Sequence, residues 1–176
     1  MSWFGNWFGR WFGGWFGQQR RLTPAASAKH VRAQVREAFA LQVTGLATTG
    51  ANVFQSRMRA LQTSELPGLR IYTEMEDILD DDVLDVPYMQ QRTITVRCEA
   101  LARATAGLDD LLDGICKEIE AAIDAEPTLG GLSPVHVSYR HFDELLQGDS
   151  DQPAGMATLD FDFVVLTMSN TPNIAL

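Results

Sequence analysis

The chain has 176 residues, of which 45% are hydrophobic and 21% charged, values that indicate a folded protein and exclude a disordered one. Its formal net charge of −9 is unevenly spread: residues 1–36 hold six basic residues and no acid, and all 23 acidic residues lie beyond them. The acidic part of the chain after residue 36 repels nucleic acid phosphates. Direct sequence-specific nucleic acid binding is therefore not expected. No apolar run approaches the ~20 residues of a membrane-spanning helix, and the aromatic amino-terminal run lacks a signal-peptide cleavage pattern.

Two cysteines, Cys98 and Cys116, are too few and too isolated for a disulfide framework or a zinc site. They are typical of buried thiols in a reducing compartment, so we expect synthesis in the cytoplasm. A redox pair is the alternative, but no C-x-x-C motif supports it.

The first 17 residues form a fourfold Trp-Phe-Gly repeat. Its aromatic residues are Trp3, Phe4, Trp7, Phe8, Trp11, Phe12, Trp15 and Phe16. Eight large aromatic side chains in solvent would promote aggregation, whereas such side chains dominate the energies of protein interfaces. We therefore predict that residues 1–22 are an arm that docks on a partner, with Arg10, Arg20 and Arg21 near an acidic surface. Membrane contact and an unstructured tail are the alternatives.

Residues 23–169 predict one α+β domain, followed by a C-terminal tail at 170–176. Thr23 and Pro24 are expected to start a helix that ends near Val43. Its apolar stripe comprises Val31, Val35, Phe39 and Val43. Strands are predicted at 51–57, 69–74, 88–102, 135–142 and 157–168, and a second helix at 106–125. This order predicts a mainly antiparallel sheet of four to five strands with helices packed on one face, plus the aromatic arm.

Alternation assigns faces in the two longest predicted strands. Residues 94, 96, 98 and 100 are apolar, whereas 93, 95, 97 and 99 are polar. In the last strand Asp160 and Asp162 share the polar face, and an exposed ladder is favoured over a catalytic carboxylate pair because no third partner is evident. From Val164 onward both faces are apolar, so this half is expected to be covered on both sides.

An acidic stretch is predicted as a loop at 74–85. It contains Asp80, Asp81, Asp82 and Asp85. The stretch lacks the glycine and the closing glutamate of an EF-hand, so a calcium site is not favoured. A solvated loop is one interpretation, and a charged rim at a subunit interface or along a channel is the other.

The sequence offers no case for an enzyme. It has no phosphate-cradling Gly-rich loop, no H-E-x-x-H, no G-x-S-x-G and no dinucleotide fingerprint. His30 stands alone, and His136 and His141 are five residues apart on one predicted strand, so they point to opposite faces and do not share a metal. We expect no catalytic residues, no metal and no cofactor.

Residues 25–169 resemble the tail terminator family of long-tailed bacteriophages, the minor tail protein U or tail-completion group. The resemblance lies in the order of segments. They are the helix 28–39, the segment 52–57, the strand 66–73 with its acidic loop, the strand 92–102, the helix 108–123 and the closing strand 161–168. The Trp-Phe-Gly arm departs from the family pattern.

This resemblance implies a virion structural protein, assembled in the host cytoplasm, that forms a ring at the head-proximal end of a phage tail. Such rings are usually hexameric, end tail-tube polymerisation and offer a surface for head joining. The implied partners are further copies of the chain, the tail tube protein and a head–tail connector or stopper protein. In these rings a sheet extends across subunits and charged loops face the lumen or tube, which makes 80–85 and 147–155 candidate contact loops. A connector or stopper, a peripheral membrane adaptor anchored by the arm, and a hydrolase are the competing interpretations.

Overall fold

The structure, a computed structural model, describes residues 29–79, 87–133, 138–147 and 153–176. Its elements are α1 (Val31–Gln42), β1 (Val53–Gln55), β2 (Gly68–Leu79), β3 (Met89–Arg103), α2 (Leu108–Ala125), β4 (Ser138–Gln147) and β5 (Ala154–Met168). The strands form one sheet in the order β1-β2-β3-β5-β4. β1 runs parallel to β2, and the other three pairings are antiparallel. The predicted α+β class with a mainly antiparallel sheet is confirmed.

Both helices pack on one face of the sheet, where they enclose the hydrophobic core. The predicted stripe of α1 is confirmed, because all four of its side chains are fully buried. Phe39 lies at the centre, with its ring 5.3 Å from Phe161 and 5.9 Å from Phe163. α2 adds its own stripe from Leu108 to Ile123, as predicted, except that Leu111 is only partly buried. The apolar stripes of the two helices and the alternating apolar residues of the strands therefore form a single core.

α1 begins at Val31, so the prediction of one continuous helix from Thr23 is wrong. His30 has an extended backbone, with ψ of 146°, and its Nδ1 accepts a hydrogen bond from the Arg32 amide at 3.2 Å. Burial and the nearby Arg32 lower the pKa of His30, which keeps this nitrogen available as an acceptor. Thr23 and Pro24 themselves lie outside the described residues, and the cap at His30 was not visible in the sequence pattern.

Residues 170–176, predicted as a tail, pack against the start of α1 and the end of β5. The Val31 amide donates to the Pro172 carbonyl at 3.1 Å, and the Leu176 amide donates to Leu166 at 2.9 Å. Gln34 donates from its side chain to the Asn173 carbonyl at 2.8 Å. The first of these bonds gives the buried Val31 amide at the start of the helix an acceptor.

β2 continues to Leu79, so the prediction of a loop from Glu74 is wrong over its first six residues. A bulge between Thr73 and Met75 shifts the register and turns Glu76 toward the helix side of the sheet. There Glu76 pairs with Arg92 at 2.9 Å and with Arg32 at 3.2 Å. Because these two arginines compensate the charge of Glu76, this acidic segment can form a strand, although its composition had predicted a solvated loop.

The final hairpin is longer than predicted. β4 extends to Gln147 and β5 begins at Ala154, so both ends of the predicted 147–155 loop belong to strands. β4 is described only from Ser138, and the stretch 134–137, where the strand was predicted to begin, lies outside the described residues.

Candidate assembly surface

The face of the sheet opposite the helices is polar, and we call it the open face. It is built from alternate residues of β2, β3 and β5. Its central members are Arg70, Tyr72, Glu74, Thr95, Arg97, Glu99, Asp160 and Asp162. Both described helices pack on the other side, so these polar side chains bury one another.

Arg97 is the centre of the open face. Its Nε and one terminal nitrogen each donate to Asp160 at 2.8 Å, and its other terminal nitrogen lies 3.0 Å from Glu74. The bidentate bond to Asp160 raises the pKa of Arg97 above its usual value. On the neighbouring pair, the Thr95 hydroxyl donates to Asp162 at 2.6 Å.

Glu99 continues the same network toward β2. It accepts a hydrogen bond from the Tyr72 hydroxyl at 2.5 Å and forms an ion pair with Arg70 at 2.5 Å. Burial, and then the bond to Glu99, raise the pKa of Tyr72 to about 12. Alternating charges across three strands thus form a connected network of ion pairs.

The prediction that Asp160 and Asp162 form an exposed ladder is wrong. They are only 5% and 9% exposed. The cause is the pairing register, which places Asp160 opposite Arg97 and Asp162 opposite Thr95. A carboxylate with such a cross-strand partner can be buried by its neighbours without a covering helix.

One end of the open face is apolar. Val164, Leu166 and Met168 point to this side and are half-buried, so the second cover predicted for this half of β5 is incomplete within the described residues. Nearby strand positions are more exposed: Met75 is 40%, Leu79 60% and Met89 57% exposed.

The sheet also presents two edges. β1 pairs with β2 only over Leu69–Ile71, so the stretch of β2 from Tyr72 to Leu79 extends past the end of β1. β4 forms the other edge and bonds to β5 along one side. Strand edges with unpaired backbone groups are the surfaces at which sheets join between chains.

Of the candidate contact loop 147–155, residues 148–152 lie outside the described part of the chain. The residues named individually as partner contacts all lie outside it. They are Trp3, Phe4, Trp7, Phe8, Trp11, Phe12, Trp15 and Phe16 of the arm, Arg10, Arg20 and Arg21, and Asp80, Asp81, Asp82 and Asp85. Of the remaining candidates, Cys98 and Cys116 are buried, as predicted, and are not joined in a disulfide. His30 caps α1, His141 lies in β4, and His136 is outside the described residues.

Two further features concern the described ranges only. Their His, Cys, Asp and Glu residues form no group of three or more placed to hold a metal ion. Their helices include none with the length and hydropathy needed to cross a membrane.

Sequence reasoning missed the ion pairs on both faces. Arg97 and Asp160 are 63 residues apart, and Arg92 and Glu76 come together only because of the bulge in β2. The sequence does indicate that Arg97 and Asp160 lie on polar strand faces, since both alternate with buried apolar residues. Predicting that they pair requires the register of β3 against β5.

The sequence matches no protein-family model and no curated protein. Among solved structures, the chain is similar to a chain in the structure "Virion of native gene transfer agent (GTA) particle". The TM-score is 0.39 at 14% identity, over 84% of this chain and 99% of that one. A similarity of this size does not establish a shared function.

Proposed function

We propose that the chain is a structural subunit of a phage-like particle that forms a ring at the head-proximal end of the tail. The ring, a hexamer by analogy with the tail terminator family, ends polymerisation of the tail tube and presents a surface for the head–tail connector or stopper protein. The order of elements supports this proposal, because the helices and strands follow the order of segments on which the resemblance to that family rests. The proposed role is structural, without a catalytic site.

The observation that carries the proposal is the edge of β2. Between Tyr72 and Leu79 this strand extends past β1 and exposes Ile78 at 42% and Leu79 at 60%. An edge strand with exposed apolar side chains favours pairing with another chain. β4 at the far side of the same sheet supplies a second edge, and head-to-tail pairing of copies builds a ring when the rotation between neighbours closes.

Light scattering after size exclusion tests this arrangement. We expect a ring-sized species, alone or after addition of tail tubes. Ile78→Lys places a charge on the β2 edge and should shift the population to monomer. Leu41→Lys is the matched control, because Leu41 is 77% exposed and lies on α1, not on an edge strand. A chain that stays monomeric with and without tubes contradicts the ring, and normal assembly of Ile78→Lys contradicts this edge.

The Trp-Phe-Gly arm is proposed to clamp this subunit to a neighbouring component. Trp and Phe supply large contact areas, and Arg10 adds charge complementary to an acidic body. Deletion of residues 2–17 should leave the thermal unfolding of the domain unchanged but abolish incorporation into particles. Trp7→Ala combined with Trp11→Ala should weaken incorporation in the same direction. If the deleted chain is incorporated normally, the arm does not dock.

A further inference from the structure

A cavity of about 460 Å³ opens beside the ion-pair network of the open face. Three arginines from different segments line it: Arg36 of α1, Arg57 after β1, and Arg70 of β2. Glu99 and Met58 also line this cavity. We call this the arginine cavity.

The three guanidinium groups have unequal partners. Both terminal nitrogens of Arg57 bind Glu65 at 2.8 Å, and Arg70 pairs with Glu99 at 2.5 Å. Arg36 makes only a long contact of 3.5 Å to the Thr73 hydroxyl, and no carboxylate of the described residues lies within ion-pair distance of it. Of these three arginines, Arg36 is therefore the one whose charge no carboxylate of the described residues compensates.

All three arginines share a second feature. The Nε of Arg36, of Arg57 and of Arg70 is buried and has no hydrogen-bond partner among the described residues. Buried donors are almost always satisfied in proteins. The Oε2 atom of Glu99 is likewise buried and without a hydrogen bond, although it pairs with Arg70, so the wall of the cavity is incompletely paired within the described residues.

The net charge of the arginine cavity favours one class of ligand. Arg36, Arg57 and Arg70 face two compensating carboxylates, Glu65 and Glu99, which leaves one net positive charge. A single carboxylate balances it and matches the planar fork of a guanidinium. A phosphate dianion would carry more negative charge than the cavity can neutralise and would be repelled by both glutamates.

The wall of the cavity has the character of a protein interface. Met58 is 97% exposed, and Met and Arg are both enriched at interfaces. Ser56, also in the wall, has a left-handed backbone with φ of 51° and is held there by its amide, which donates to the Ile71 carbonyl at 2.8 Å. Such strain in a non-glycine residue is concentrated at binding sites.

We propose that the arginine cavity receives the carboxylate of an Asp or Glu side chain from a neighbouring protein of the assembled particle. The inference rests on the proposed structural function, since it names the chemistry of a contact made in assembly. Arg36 supplies the uncompensated charge through its guanidinium group, and Arg57 and Arg70 add flanking positive charge.

The site is tested first in solution on the full chain, by following the Nε–H signals of arginine in ¹⁵N-resolved NMR spectra. The probe is N-acetyl-aspartate N-methylamide, with N-acetyl-asparagine N-methylamide and inorganic phosphate as controls. We expect a saturable shift of the three Nε signals with the aspartate probe and weaker responses to both controls. No saturable shift overturns the site, and an equal response to phosphate overturns the preference for a carboxylate.

Variants separate the site from general charge. Arg36→Gln should weaken probe binding roughly tenfold, and Arg36→Lys, which keeps the charge but not the fork, should bind with intermediate affinity. Arg59→Gln removes the same charge from an exposed residue outside the cavity wall and should bind as the parent chain does. Thermal unfolding checks that each variant is folded. Equal loss in Arg36→Gln and Arg59→Gln overturns the assignment of Arg36.

Incorporation into particles tests the partner. Arg36→Gln should be excluded from particles that still accept Arg59→Gln. If Arg36→Gln no longer binds the probe but is incorporated normally, the cavity is a small-anion site only and the docking role is overturned, while the proposed ring function stands. If the chain never forms a ring, the NMR titration still decides whether the site exists.

Discussion

The two faces of the sheet are both buried, but by different means. On the helix side Ile94, Val96 and Cys98 are fully buried beneath α1 and α2. On the open face Thr95 and Glu99 of the same strand are 3% and 8% exposed, although their neighbours are other polar side chains. One strand therefore contributes to an apolar core through its even-numbered residues and to a hydrogen-bonded network through its odd-numbered ones.

The two faces depend on different properties of their side chains. An apolar core depends mainly on volume and tolerates exchange among hydrophobic residues of similar size. A buried polar network depends on partners, because each group that loses its partner keeps the full cost of desolvation. Substitutions on the two faces should therefore destabilise the protein for different physical reasons, and three measurements test this difference.

The largest effect is expected on the helix side. Phe39→Ala removes the ring that contacts both Phe161 and Phe163 and should lower the free energy of unfolding by about 3–5 kcal/mol. Denaturant titration measures this loss. Leu41→Ala, two residues along the same helix at a 77% exposed position, should change it by less than about 0.5 kcal/mol. Similar losses in both variants would contradict the assignment of the core.

On the open face the expected loss is smaller. Asp160→Asn should cost about 2 kcal/mol, because Arg97 loses a bidentate carboxylate partner but keeps Glu74. The double variant Arg97→Met with Asp160→Leu should cost less than the two single changes added together, because it leaves neither group unpaired.

An exposed ion pair provides the control for this network. Lys29 and Glu37 are 60% and 38% exposed, so Glu37→Gln should change the free energy of unfolding by less than about 0.5 kcal/mol. An equal effect of Asp160→Asn and Glu37→Gln would show that the open-face network does not contribute to stability.

The sequence predicted the apolar core well and the buried ion pairs of both faces poorly, for the same reason. Apolar periodicity is local, so the stripes of α1 and α2 could be read without knowledge of the strand pairing. The burial of Asp160 depends on Arg97 of another strand, and the strand character of Glu76 depends on Arg92 and Arg32. The arginine cavity collects residues from three segments and was not foreseen, whereas the arm and acidic-loop predictions remain predictions.

The smallest effect expected outside the control variants distinguishes the two faces by pH. Burial, and then the bond to Glu99, raise the pKa of Tyr72 to about 12 from an unperturbed value of 10.0. The unfolded chain therefore loses this proton first, so the stability that the neutral hydroxyl provides is complete below pH 10 and is lost as the pH rises toward 12. Tyr72→Phe has no such proton to lose.

The difference in free energy of unfolding between the parent chain and Tyr72→Phe should accordingly decrease between pH 10 and pH 12. Its change should be less than about 1 kcal/mol, because the hydroxyl is partly screened by solvent. On the helix side, burial also raises the pKa of the Cys98 thiol, which weakens both proteins equally in alkali and cancels in the difference. A difference that stays constant across this range would mean that the Tyr72–Glu99 bond does not hold the phenol neutral.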